Sequence, residues 1–519
     1  MCRFLFTLCP PCSGRHQTVE ASSPVVWRPQ LRTTILCLLM LCCVSMNASE
    51  SPLADAVENK NRDTAIKLLK QKSDANTPQV DGTTALHWAA YHDDAELGLM
   101  LLEAGARAGA ENRYGVTSLY SACQNGNAKL VIALLQYGAD PDTSLQGEEA
   151  LLTASRTGSV EVVKTLLKSG AKINAEDRNN QTALMWAAAE GNLEVVKILI
   201  EAGANIRHQL DSGFTPLLFA VREGREPVVH ALLNAGLDVN EAATPEKGRL
   251  PRGSTPLTLA IENGHFTLAT SLLEAGANPN DTRTGFSPLH ILSWVRKPGG
   301  GDGPDDLPPP DGSGIMNSLQ FANTLVEHAA KVNAGLKGGR QHWKDATPFY
   351  LAAWTADLAL MRTFVEHGAD PKINASDGST PLMAATGIGR KMEEASAGTE
   401  TEILACARYL LKLGININAV NSSGETAMHG AAYKNLPKVV TYLDQQKADV
   451  KIWHQRNKRG STPYLIAAGY RPGNFKPSYE TMTAFKQVLA SHGIKPNEKP
   501  PERIDPYTQK KSWDKSNKN

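Results

Sequence analysis

Residues 180–205 read NQTALMWAAAEGNLEVVKILIEAGAN, and this stretch decides the fold. Thr182 can cap a first helix, which is buried by the apolar run that follows it. The glycine and asparagine at residues 191–192 end that helix. Residues 193–200 then place apolar side chains at mostly helical spacing, and Gly203 follows where a left-handed residue is needed. The stretch predicts a unit made of a helix, a tight turn, a second helix and a glycine exit.

This unit needs neighbours, because two helices of about ten residues bury too little apolar surface to offset their ordering entropy. The neighbours are copies of the unit itself. Several steps between copies, such as 82 to 115, 180 to 213 and 345 to 378, are 33 residues long. The copies begin at Gly82, Gly115, Gly147, Asn180, Gly213, Gly253, Gly285, Asp345, Gly378, Gly424 and Gly460.

The copies carry a recurring phrase at the start of the first helix. A period of 33 residues with the phrase T-P-L-H-x-A is typical of ankyrin repeats. The chain therefore resembles an ankyrin-repeat protein over roughly residues 51–497. The resemblance implies an all-α ankyrin-repeat solenoid of about eleven to twelve stacked helix-turn-helix units with short β-hairpin fingers. It rests on TALHWAA at Thr84, TPLLFAV at Thr215, SPLHIL at Ser287, TAMHGAA at Thr426 and the second-helix exit LLEAGANPN at Leu272.

The repeats divide into a regular and an interrupted half. Residues 49–80 form a polar N-terminal capping repeat, and residues 81–240 run almost without interruption. Residues 241–497 contain insertions, and we expect the final segment to be disordered. Two insertions (241–252 and 334–344) lengthen the fingers, three (298–314, 387–399 and 469–478) separate first from second helices, and the tail covers residues 498–519.

Residues 1–48 differ from the rest and read as a lead-in followed by a secretory signal peptide. Arg28 and Arg32 precede an apolar run at residues 35–44, and small residues end it near Ala48. Export to the periplasm is the favoured interpretation, with release outside the cell or into a host as the second. An uncleaved anchor, a spurious upstream extension and a lipid anchor remain alternatives.

Six of the eight cysteines lie in this leader, which leaves Cys123 and Cys406 for the repeats. These two occupy repeats far apart in the stack, so no disulfide between them is expected. The spacing of Cys9 and Cys12 is similar to that of metal or redox sites, but the pair has no partner ligands.

No catalytic constellation is found in the repeats, where HExxH, GxxxxGK[ST], GxSxG and paired CxxC motifs are lacking. The resemblance implies that His87, His290 and His429 tie neighbouring repeats together through hydrogen bonds. Asp302, Asp305, Asp306 and Asp311 are interpreted as a solvated acidic loop rather than a calcium site, because they lack EF-hand spacing. The net charge of +1, with both signs interspersed, gives no electrostatic footprint for nucleic acid.

The candidate binding residues are large side chains at the positions where ankyrins contact their partners. Those at the fingers are Tyr114, Phe214, Phe286 and Trp343; those just after the paired alanines of the first helix are Tyr91, Arg156, Arg222, Trp294, Trp354 and Tyr433. Phe286, Trp294, Trp343 and Trp354 are expected to form one aromatic patch in the interrupted half, or else to cover an inserted loop. Trp88 and Trp186, one slot earlier, are assigned to the core. The unit at residues 180–205 is expected to present a bland concave face at Ala189 and Glu190.

The sequence predicts an exported, non-enzymatic and monomeric scaffold whose concave surface binds a partner protein, with no cofactor and no metal. No nucleic acid and no membrane insertion after signal cleavage are expected. A membrane-tethered envelope scaffold and a secreted effector acting on host proteins are the alternatives. An enzyme within the insertions is disfavoured, because these are short, glycine-rich and poor in histidine.

Overall fold

The computed structural model describes residues 51–297, 310, 312–337, 343–389, 398–471 and 476–500. The leader, the acidic loop residues and almost all of the predicted tail lie outside these ranges, as do parts of the three insertions between first and second helices.

Pairs of short helices make up the described chain. The first helices are Pro52–Glu58, Ala85–Tyr91, Ser118–Asn125, Ala150–Thr157, Ala183–Glu190, Pro216–Arg222, Pro256–Glu262, Pro288–Arg296, Pro348–Trp354, Pro381–Thr386, Ala427–Tyr433 and Pro463–Ala467. The second helices are Arg62–Lys70, Ala95–Glu103, Ala128–Gln136, Val160–Lys168, Leu193–Glu201, Glu226–Asn234, Phe266–Glu274, Ser318–Glu327, Leu358–Glu366, Glu400–Lys412, Pro437–Gln445 and Tyr479–Ser491, and a short helix, Val450–Trp453, precedes the last pair.

The unit at residues 180–205 folds as its sequence predicts. The Thr182 hydroxyl oxygen caps helix Ala183–Glu190 by accepting a hydrogen bond, 3.4 Å long, from a backbone N–H three residues on. Gly191 ends this helix with a φ of 83°. The second helix follows at once, and Gly203 ends the unit with a φ of 90°. Both glycines adopt the left-handed conformation that other residues reach only with strain.

Stacking of these pairs produces a continuous apolar core from Leu53 to Leu489. First helices pack on first helices and second helices on second helices, so each repeat buries its neighbour's apolar face. Cys123 and Cys406 lie in this core as free thiols. Burial raises the pKa of each to about 12. The structure thus confirms the all-α solenoid and places both cysteines as free thiols in its core.

Left-handed residues also open the finger turns. Gly82 and Gly213 have φ values of 87° and 86°, and Asn180 and Asp345 adopt 60° and 62° at the equivalent positions. Asn and Asp tolerate this conformation because their short polar side chains bond locally. In the described fingers, regular strand pairing is confined to Ser144–Leu145 with Glu148–Glu149. Two other fingers contain one isolated β-bridge each, between Glu111 and Thr117 and between Glu176 and Thr182.

His87 and His290 join neighbouring repeats, as the sequence predicts, whereas His429 Nε2 is buried without a hydrogen-bond partner among the described residues. His87 Nδ1 lies 2.8 Å from the Thr84 hydroxyl, and its Nε2 lies 3.1 Å from the carbonyl oxygen of Val116 in the next repeat. His290 Nε2 likewise lies 3.0 Å from the Ala346 carbonyl oxygen. His429 keeps the contact with its own threonine, at 3.1 Å.

The chain after helix Pro288–Arg296 folds back over two preceding repeats. The Ser313 backbone N–H donates to His265 Nδ1 at 2.9 Å, and His265 Nε2 lies 2.8 Å from the Arg222 carbonyl oxygen. A Cβ atom on Gly312 would overlap the backbone of Gly264. Because Nδ1 accepts a hydrogen bond from a backbone N–H, the ring carries its hydrogen on Nε2, which donates to the Arg222 carbonyl oxygen.

A buried ion pair anchors the end of the same helix. Arg296 Nε lies 2.7 Å from Asp357 Oδ2, and the two side chains are only 14% and 2% exposed. Lys297 reaches Glu402 in a later repeat at 2.7 Å. Two cross-repeat ion pairs therefore lie where the insertion at residue 298 begins. No helix in the described ranges has the length and apolar character needed to cross a bilayer.

Candidate protein-interaction surface

Finger loops and the outward side chains of the first helices together form one long surface, which we call the finger face. The resemblance to ankyrins makes it the concave side. At its N-terminal end Tyr91 and Tyr114 are 65% and 66% exposed. The Tyr91 ring contacts Trp88 edge-on, with 5.7 Å between ring centroids. Trp88 in turn donates its indole N–H to Gln79 at 2.8 Å.

Two adjoining cavities of the finger face lie in the regular half. These cavities, of about 410 and 670 Å³, share Arg178 and Asn179 and form what we call the central groove. Its lining includes Tyr120, Arg156, Trp186, Phe214, Phe219, Arg222 and Lys247.

Arg156 is held at one end of the central groove by an ion pair and a cation–π contact. Its Nη2 lies 2.9 Å from Glu148 Oε1, which also accepts a 2.8 Å hydrogen bond from the Thr153 hydroxyl. Its guanidinium carbon lies 5.2 Å from the ring centroid of Trp186 in the next repeat. A cation in this position is attracted by the negative face of the indole. The guanidinium is therefore fixed in orientation while remaining partly exposed.

Arg222 repeats this arrangement at the other end of the groove. Its guanidinium carbon lies 5.0 Å from the ring centroids of both Phe214 and Phe219. Its Nε lies 2.8 Å from Glu223 Oε1. The finger and the first helix of one repeat thus combine to position a single cation.

The carboxylates of the central groove are occupied within the chain. Asp177 accepts two backbone N–H bonds in its own turn, at 2.7 and 3.0 Å, and the Trp186 indole N–H at 3.2 Å. Asp211 Oδ2 lies 3.2 Å from Lys247 Nζ. Arg178 is exposed and has no carboxylate partner within the described part of the chain. The groove therefore offers mainly hydrogen-bond donors to a ligand.

Four aromatic side chains of the interrupted half also come together, as their positions predict. Phe286 and Trp294 meet edge-on with centroids 4.8 Å apart, and Trp343 and Trp354 do so at 4.9 Å. We call these four residues the aromatic cluster. They are half-buried and pack on a small core that includes Leu336. The cluster thus supports the lengthened finger at residues 334–344, and its role in binding stays a prediction.

Tyr433 and Glu262 occupy the same helix slot as Arg156 but are more deeply buried. The Tyr433 hydroxyl donates to Glu425 at 2.8 Å, and burial raises the Tyr433 pKa. Burial raises the pKa of Glu262 to about 7. These two positions therefore give the finger face less open polar surface than the sequence pattern suggests.

The sequence interpretation missed the central groove. It assigned Trp186 to the core, whereas one side of this ring packs on the core and the other carries Arg156. It also passed over Tyr120 and Phe219, although both line the groove. The available signal was an aromatic residue three or four positions after the capping residue of the first helix. The unit at residues 180–205, expected to be bland at Ala189 and Glu190, lies between the predicted binding residues Arg156 and Arg222, which both line the groove.

Among the described residues, no three His, Cys, Asp or Glu side chains are arranged to hold a metal ion. The acidic loop residues Asp302, Asp305, Asp306 and Asp311 lie outside those residues.

Helix pairs with left-handed finger turns and inter-repeat histidines define a helical-repeat solenoid. Sequence patterns of the family described as "Ankyrin repeats (3 copies)" match residues 30–112, 53–145, 100–177, 151–243 and 349–454, and those of "Ankyrin repeat" match residues 252–283. The matches cover more than half of the chain, and the protein belongs to the ankyrin-repeat family. Ankyrin repeats generally mediate protein–protein interactions.

Individual relatives are similar over only part of their length. The chain is 28% identical over 213 residues to "Ankyrin repeat and SOCS box protein 6" of Pongo abelii and of Homo sapiens, over 36% of this chain and 45% of each relative. It is 32% identical over 112 residues to "Alpha-latroinsectotoxin-Lt1a" of Latrodectus tredecimguttatus, over 22% of this chain and 7% of the toxin. The chain thus spans less than half the length of these curated relatives.

A solved structure, "Crystal structure of human ASB11 ankyrin repeat domain", is 26% identical and covers 44% of this chain and 99% of its own, with a TM-score of 0.39.

Proposed function

We propose that the protein is a non-catalytic scaffold that binds a partner protein through its finger face. The observation that carries this proposal is the central groove, where Arg156 and Arg222 are each fixed over aromatic rings. A surface ordered in this way loses little side-chain freedom when a partner binds. Arginine and tryptophan are also enriched among the residues that dominate interface energies.

The proposed compartment is the periplasm, with release from the cell as the alternative. Support comes from the sequence alone: the basic, apolar and small-residue segments between Arg28 and Ala48 follow the plan of a signal peptide. Amino-terminal sequencing of the protein isolated from its native host tests this proposal. A start near Ser49 is expected, and a chain that retains the apolar run would instead support a membrane-tethered scaffold.

Affinity capture from the native compartment tests the scaffold proposal. Ala189 lies on the first helix between the repeats of Arg156 and Arg222, so Ala189→Glu places a charge in the groove. Lys164→Glu, on a second helix, is the matched control, since Lys164 is exposed and makes only a local pair with Glu161. We expect the partner to be recovered with the control and lost with Ala189→Glu. Equal recovery of the same proteins with both variants would contradict the proposal.

A further inference from the structure

Two guanidinium groups occupy the same helix slot two repeats apart in the central groove. Arg156 and Arg222 each stack on aromatic rings and each contact one carboxylate, at 2.9 and 2.8 Å. A guanidinium has five N–H donors in a rigid fork, so each arginine keeps donors for a ligand. Between them the slot holds only Ala189, whose small side chain leaves the space open.

The groove's own carboxylates already contact other groups of the chain. Asp177 accepts three hydrogen bonds, from its turn and from Trp186, Asp211 contacts Lys247, and Glu148 contacts both Thr153 and Arg156. A ligand with negatively charged oxygens meets the two stacked arginines and the exposed Arg178. Charge-assisted bonds from arginine to a carboxylate are among the stronger polar contacts in proteins.

The spacing of the two arginines selects an extended ligand. Neighbouring helices pack about 8–10 Å apart, so the slots of Arg156 and Arg222 are separated by roughly 20 Å. An extended chain advances about 3.3 Å per residue, so about six residues bridge them. We propose that the central groove binds an extended acidic segment of the partner protein, with one carboxylate at Arg156 and a second at Arg222. This inference rests on the proposed scaffold function and specifies the chemistry of its partner.

The same contacts disfavour a single-stranded nucleic acid, the other extended anion. Such ligands stack their bases on open aromatic faces. In the groove a guanidinium covers one face of Trp186, and another lies over both Phe214 and Phe219. The arginines therefore remain available to anions while the rings beneath them are already in use.

Selection from a random-peptide display library tests the inference. The bait is the full chain, and an enriched peptide is then synthesised and its affinity measured by fluorescence anisotropy. The double variant Arg156→Gln, Arg222→Gln removes both cations. Arg408→Gln is the matched control, because Arg408 also stacks on a tyrosine ring, Tyr442, at 5.4 Å, but on second helices. Circular dichroism establishes that each variant is folded.

We expect enriched peptides with two acidic residues about five to seven positions apart. We also expect their affinity to fall roughly tenfold or more in the double variant and to be unchanged in Arg408→Gln. Enrichment of non-acidic peptides, or acidic peptides that bind the double variant equally well, would overturn the inference and leave the scaffold function standing. So would an oligothymidylate that competes as strongly as the acidic peptide. If no peptide is enriched, the inference also fails, and the capture with Ala189→Glu decides the scaffold function independently.

Discussion

The guanidinium of Arg156 lies over the indole of Trp186 in the next repeat, 5.2 Å from the ring centroid. This contact joins two repeats on the outer side of their first helices, away from the apolar core. It also places a cation on the finger face in a fixed orientation. A single pair of side chains thus contributes both to the packing of two repeats and to the fixed charge on the finger face.

Replacing Arg156 with glutamine tests the stabilising part of this link. We expect the free energy of unfolding to fall by about 0.5–1 kcal/mol, the range for a cation over an exposed aromatic ring. Urea titration followed by circular dichroism measures the change. Lys164→Gln, which removes an exposed pair with Glu161, serves as control and should change stability by less than about 0.5 kcal/mol. Equal losses of stability in the two variants would mean that the contact of Arg156 with the Trp186 ring adds nothing to the effect of an exposed ion pair.

Asp357→Ala should be far more damaging, because it leaves the cation of Arg296 buried and unpaired. We expect a loss of roughly 3–5 kcal/mol, as for other broken buried pairs. Asp357 also caps helix Leu358–Glu366 by accepting the backbone N–H of Leu360 at 3.1 Å, and this contact is lost as well. Chemical denaturation provides the measurement. Asp211→Ala breaks the exposed pair with Lys247 and should lower stability by less than about 1 kcal/mol. A similar loss of stability in the two variants would contradict the burial of the Arg296–Asp357 pair.

Glu262 makes stability fall as pH rises. Burial raises its pKa in the folded state to about 7, against the usual 4.5 of a glutamate. Between these values the folded protein holds a proton that the unfolded chain has released, so unfolding becomes easier as the pH increases and then levels off. Glu262→Gln should remove this dependence and stabilise the protein at about pH 8 by on the order of 2 kcal/mol. Urea titrations of both proteins between these pH values measure the free energy of unfolding. If it changes with pH equally in the wild type and in Glu262→Gln, the assignment to Glu262 is refuted.

The buried histidines act in the opposite direction. Burial lowers the pKa of His290 and His429 to about 4, from the usual 6.5. As the pH falls from 6.5 towards 4, these histidines bind protons in the unfolded chain but not in the folded protein, so stability is lost. The double variant His290→Gln, His429→Gln should be less stable at neutral pH but lose less on acidification. The change in urea midpoint with pH gives the readout, and an unchanged slope would exclude these two rings as its source.

The repeat unit could be predicted from sequence because each of its parts has a local cause. Thr182 caps a helix, Gly191 ends it and the unit recurs at steps of 33 residues, so the fold follows from the local pattern and its spacing. The inter-repeat role of His87 and His290 follows from the resemblance to ankyrin repeats. The central groove could not be predicted in the same way. Its arginines gain their orientation from rings on a finger or on the next repeat, and such contacts depend on side-chain directions that a single period does not specify.

For the aromatic cluster, the sequence predicted the location of the rings but not their exposure. Positions in the repeat correctly brought Trp294 and Trp354 into one neighbourhood with Phe286 and Trp343. How far these four rings are buried depends on Leu336, which lies in a lengthened finger. The sequence did not specify the path of that finger. Large side chains at a contact slot therefore indicate where a surface lies but not how much of each ring it exposes.

Two hydrogen bonds in series connect three consecutive repeats: Ser313 donates to the His265 ring, and that ring contacts the Arg222 carbonyl oxygen. A chain of nearest-neighbour contacts can unfold one repeat at a time from either end. Here His265 takes part in both bonds, so unfolding of its repeat breaks them together. The opening of the repeat that carries Arg222 is therefore coupled, through one imidazole, to that of the repeat that carries Ser313.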